Sequence, residues 1–187
     1  MLIQMLIARP QMIGTILAST PTWVWFLLAG LLWLGASMLK GATIGVRRAA
    51  IMPVVMTGLS LWGMVSAFSR SAIFGYVMLA WVVTAALLAT AVGMLPAPRG
   101  ASYNPQARTF TVPGSWVPLA LILGIFLVKY VVGVEVAMNP ALPQDSSYSL
   151  TYGVIYGAFS GIFTGRSIRL ARLAWRGATL GTISTAW

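Results

Sequence analysis

The sequence predicts an all-α membrane protein. The expected fold is a polytopic bundle of five transmembrane helices, N-terminus outside and C-terminus in the cytoplasm, with an interfacial N-terminal helix and a small cytoplasmic hairpin loop. Three observations predict it. Hydrophobic residues make up 59% of the 187-residue chain and charged residues 7%, against roughly 45–50% and about 25% in soluble domains. The apolar residues fall into five runs, most of them near the twenty or so needed to cross about 30 Å of hydrocarbon. The basic residues gather at alternate ends of those runs, which is how loop charge sets orientation.

Met1–Thr20 is apolar, broken by Arg9-Pro10, with Met12, Ile13, Ile16 and Leu17 at helical spacing. It lacks a basic n-region and a small-residue cleavage site, so a cleaved signal peptide is not expected. A helix lying in the headgroup zone fits better. Thr20-Pro21 then reads as an N-cap followed by proline at the first helical position. The expected spans are Thr22–Leu39, Ala49–Phe68, Ala72–Leu95, Val117–Met138 and Leu150–Gly165. The fifth is short, and its helix is expected to continue into a basic cytoplasmic tail, 166–187. Ser69-Arg70-Ser71 joins the second and third spans tightly enough for an antiparallel hairpin.

Loop charges set the orientation. Lys40, Arg47, Arg48, Arg99, Arg108, Arg166, Arg169, Arg172 and Arg176 fall on one side if there are five crossings, leaving Arg9 and Arg70 on the other. That asymmetry places the C-terminus inside. The net charge of +10 therefore points to anionic lipid headgroups, not to nucleic acid. Within the long loop 96–116, Asn104-Pro105 starts a turn between residues that favour extended backbone, so a hairpin is expected there. Ser115 is placed to cap the fourth span, with Pro118 tolerated in its first turn.

Four features carry the functional reading. Gly153, Gly157, Gly161 and Gly165 form one bare stripe, a glycine-zipper pattern that lets helices approach closely in lipid, either within one chain or between copies. Tyr152, Tyr156, Ser160 and Thr164 set hydroxyls beside it. Lys129 lies about 18 Å along the fourth span, where an ionisable group is either satisfied by snorkelling or placed on a ligand or ion path. Glu135 is its neighbour on the same helix, but the two project about 120° apart, which strains a direct ion pair. Trp33, Trp62 and Trp81 fall nine to thirteen residues into the first three spans, near the depth of Lys129. They either pack the bundle or line a mid-membrane pocket for a lipid, quinone or other flat apolar molecule. Arg166, Arg169, Arg172 and Arg176 read as a face contacting lipid phosphates.

No catalytic constellation is present. The chain has no cysteine or histidine and only two acids, Glu135 and Asp145, which removes thiolate, Cys/His metal and histidine acid–base chemistry. No catalytic residue, metal site or cofactor is expected, and the chain does not read as an enzyme.

The stretches Thr20–Trp25, Ser60–Phe68, Thr111–Pro118 running on to Lys129-Tyr130, and Tyr156–Gly161 are similar to an uncharacterised family of small bacterial inner-membrane proteins, a domain of unknown function. The basic residue preceding Pro53 and the Tyr103–Phe110 loop give a fainter likeness to the CcdC-like membrane proteins, linked by name to cytochrome c biogenesis. The resemblance implies a bacterial inner-membrane location and about five helices, and brings no site residues with it. Without cysteine or histidine this chain performs no thiol or haem-ligand work itself. The leading expectation is a non-catalytic accessory or scaffold component that packs through the glycine stripe, as a homo-oligomer or in a larger membrane complex. The second is a small permease or a lipid- or quinone-binding protein using Lys129 and the central tryptophans. Five spans without a visible repeat fit an inverted-repeat transporter poorly.

Overall fold

The computed structural model describes residues 11–184. The first ten residues of the expected interfacial helix, Arg9 among them, lie outside the described residues, as does the side chain of Arg176. Six α-helices dominate: α1 (Gln11–Ser19), α2 (Thr22–Ser37), α3 (Val46–Phe68), α4 (Phe74–Met94), α5 (Val117–Met138) and α6 (Ser146–Ser184). Among the described residues, four stretches are long and apolar enough to cross a membrane, namely Thr22–Lys40, Val46–Phe68, Phe74–Met94 and Val117–Met138. The chain is a mostly helical protein with the helices of a multi-pass membrane protein. Large apolar side chains on their outer faces, such as Phe26, Val54, Leu87 and Leu127, are exposed; a lipid solvent accommodates such faces, whereas water does not.

The two helix starts expected to be capped behave differently. Ser115 Oγ accepts the Val117 N–H at 3.3 Å, and Pro118 sits in the first turn of α5. Thr20, however, does not cap α2: Pro21 precedes that helix in an extended conformation with no side-chain cap. The Thr20 hydroxyl instead donates back to the Ile16 carbonyl at 2.8 Å and meets the Tyr130 hydroxyl at 2.6 Å. A bond to another helix in apolar surroundings replaces the local cap.

The 96–116 loop does fold into a hairpin, β2 (Ser102–Asn104) against β3 (Thr109–Val112). A third strand, β1 (Ala42–Gly45), joins it from the α2–α3 connection, giving an antiparallel sheet of order β1-β3-β2. The pairing Ala42↔Val112 through Gly45↔Thr109 ties two distant loops together, and Phe110 is buried at 2% exposure. Two glycines make the junction possible. Gly41 adopts φ +72°, and a Cβ on Gly114 would run into the Leu39 carbonyl.

α6 runs beside α4. A Cβ on Gly153 would lie 3.0 Å from the Val77 carbonyl oxygen; on Gly157, 2.5 Å from that of Trp81; on Gly161, 2.6 Å from that of Ala85; on Gly165, 2.8 Å from that of Ala89. The partners advance in step with the glycines, so the two helices are parallel. Backbone meets backbone because the stripe carries no side chains. At the end remote from the sheet, Met64, Phe68, Val77, Val132 and Tyr156 form a buried core joining α3, α4, α5 and α6.

Candidate functional site

Parallel packing of α6 on α4 turns the Tyr152, Tyr156 and Ser160 stripe away from α4 and toward α3 and α5. Each hydroxyl-bearing residue then meets a specific group. Tyr152 donates to Glu135 Oε2 at 3.1 Å, and Glu135 is 5% exposed. Tyr148 lies against the same carboxylate; burial first, and the nearby Glu135 carboxylate next, raise its pKa. One turn deeper, the Tyr156 ring lies under the Lys129 ammonium, with Nζ 5.6 Å from the ring centre, a weak cation–π contact. Lys129 and Glu135 therefore face different partners, as their spacing on α5 requires.

Gly63 on α3 makes room for the lysine, since a Cβ there would overlap Lys129 Nζ. Ser60, one turn before it, accepts the Trp81 indole N–H at 3.2 Å and donates to the Tyr156 carbonyl at 3.3 Å. That bond satisfies an indole that would otherwise be orphaned among apolar groups. Ser160 is different. It is 2% exposed, and its Oγ finds no hydrogen-bond partner.

Lys129, Ser60, Ser160 and Tyr156 all border one cavity of about 820 Å³ between α1, α2, α3, α5 and α6. It follows α5 from Ile122 to Met138, about 24 Å of helix. Its walls are otherwise largely apolar, with Leu27, Leu31, Leu59, Ile125 and Phe159 among them. The Thr20–Tyr130 hydrogen bond borders it where α1 gives way to α2. A volume of this size is in the range of small-molecule sites.

The sequence-derived candidates separate. Lys129 borders the cavity, and Trp81 is anchored to it through Ser60. Trp33 and Trp62 share its depth but face outward, at 76% and 74% exposure, and neither lines it. Glu135 sits on the other side of α5, with Tyr152. Of the four arginines, Arg172 donates to the Gly93 carbonyl at 2.8 Å and Arg169 donates to that of Pro96, so both hold the C-terminal end of α4. Ser160 was visible in the sequence only as one member of a hydroxyl stripe; its position in the cavity depends on the rotation of α6. No group of three or more metal-ligating residues occurs among the described residues.

A model of a family of unknown function, DUF6622, matches residues 1–180. The chain belongs to that family. No curated protein and no solved structure matches it. Membership in DUF6622 thus names the relatives of this chain without assigning a reaction, and the site is argued from its own geometry.

Proposed function

We propose that this DUF6622 chain is a non-catalytic protein of a bacterial cytoplasmic membrane that holds one lipid-like or other elongated apolar molecule in the cavity beside Lys129. The observation that carries the reading is a lysine bordering a largely apolar cavity of about 820 Å³. Ionisable groups at such depth are costly and mark functional sites by default. The scaffold alternative draws less support from the geometry: the glycine stripe, its expected docking face, is filled by α4 of the same chain. The reading also includes five crossings with the C-terminus inside. Its support is that Gly153–Gly165 runs parallel to α4 in step with a spanning helix.

Native mass spectrometry of the protein released from native-lipid particles tests it. A monomer carrying one defined small adduct is expected. A homo-oligomer or a co-purified subunit without any small ligand would overturn the cavity reading and favour the scaffold.

A further inference from the structure

We infer that the molecule in the cavity is a single-chain carboxylic acid, its carboxylate held by Lys129 and its tail lying along α5. This rests on the cavity reading above and adds the ligand's chemistry to it.

The charge that borders the cavity is a cation. Lys129 offers three N–H bonds and no acceptor, and its one described partner is the Tyr156 ring. The chain's two side-chain carboxylates are engaged elsewhere. Glu135 accepts from Tyr152, and Asp145 accepts the Tyr148 N–H at 2.8 Å, capping α6. An ammonium in apolar surroundings without a counter-charge is strongly disfavoured. A ligand carboxylate supplies both the charge and the acceptor oxygens, and charge-assisted bonds of this kind are the strong ones. Ser60 is excluded from this role because its hydroxyl already makes two bonds.

Shape argues for one chain. Lys129 stands about 18 Å from the start of α5 and about 13 Å from its end, well below either headgroup layer. A compact carboxylate reaches that depth, whereas a glycerophosphate headgroup would be dragged out of the interface to do so. Beyond the ammonium the lining is a largely apolar run of Ile, Leu, Phe and Val side chains along α2 and α5, which suits a tail and offers no charge to a second headgroup.

The experiment uses the full chain in phosphatidylcholine nanodiscs with palmitic acid or methyl palmitate, and native mass spectrometry reads the bound adduct. Palmitate is expected to exceed the methyl ester by about tenfold in occupancy at equal loading, the scale of one charge-assisted bond. Lys129→Met should bring the acid down to the ester's level. Equal binding of acid and ester to the unaltered protein would overturn this inference while leaving the cavity reading standing. So would a well-folded Lys129→Met that keeps the preference, or displacement of palmitate by phosphatidylglycerol. Binding of none of these molecules would remove the cavity reading itself. Because the acid–ester comparison is made on the unaltered chain, the inference is decided even if Lys129→Met does not fold.

Discussion

At the scale of single residues, the glycines separate into those that touch backbone and those that touch nothing. A Cβ at Gly157 would press on the Trp81 carbonyl and Cα, neither of which yields without moving α4 away from α6. Gly157→Ala should therefore cost about 1–3 kcal/mol through overpacking. Gly133 has nothing within 4 Å of its added Cβ, so Gly133→Ala should be neutral or stabilising by up to about 1 kcal/mol, from helix propensity alone. Thermal unfolding in detergent micelles should separate the two variants in opposite directions. Equal melting points would mean that the α4–α6 seam tolerates separation. Gly63 gives a third kind of case, because its Cβ would meet only the tip of Lys129. That tip moves without repacking a helix. Gly63→Ala should keep the melting point within a few degrees yet reduce palmitate occupancy severalfold, as read by adduct mass; unchanged occupancy would mean that the ammonium's position against α3 is unimportant.

At the scale of elements, the arginines that follow the glycine stripe have a structural task that their spacing alone did not reveal. Arg169 and Arg172 reach carbonyls just inside and just past the end of α4, where the last C=O groups lack helical partners and the dipole favours a cation. Replacing Arg172 with Gln should cost about 0.3–1 kcal/mol at low salt, and the loss should shrink as salt rises. A salt-independent loss, measured by melting at two ionic strengths, would point to packing instead. The helices themselves were legible because hydrocarbon demands long unbroken apolar runs, so α5 occupies the very residues its hydropathy marks. The β2–β3 hairpin was legible from Asn104-Pro105 and the extended formers around it. β1 was not, since Ala42–Gly45 carries no alternation of its own and becomes a strand only by meeting β3 some seventy residues away. The cavity was half legible. The depth of Trp33, Trp62 and Lys129 follows from counting along each run, but a helix apolar on all sides gives no sign of which way it faces. Packing against α4 sets that rotation for α6, and it brings Ser160 inward.

At the scale of the whole molecule, the parallel seam between α4 and α6 constrains the number of crossings. Parallel helices at matched height begin on the same side of the membrane. α4 begins after the Ser69–Ser71 turn, and α6 begins after the 139–145 connection. Those two turns meet, since Gln144 Nε2 donates to the Arg70 carbonyl at 3.1 Å. Both helices then descend toward the side that holds the β-sheet and most of the arginines. If α6 stopped at the outer surface, Arg166, Arg169 and Arg172 would remain outside, against the positive-inside rule, and could not reach the far end of α4. Because the chain has no native cysteine, single cysteines report sidedness cleanly. A membrane-impermeant maleimide applied to intact cells should label Ser147→Cys, at the exposed start of α6, and should spare Ser102→Cys in β2 and Ala171→Cys beyond the stripe until the membrane is opened. Labelling of Ala171→Cys from outside would reduce the crossings to four and leave α6 on the outer face. Protection of both inner positions, with Ser147→Cys reactive, requires the fifth crossing. The depth at which α6 sets the Tyr156 ring against Lys129, and with it the carboxylate site, stands or falls with that result.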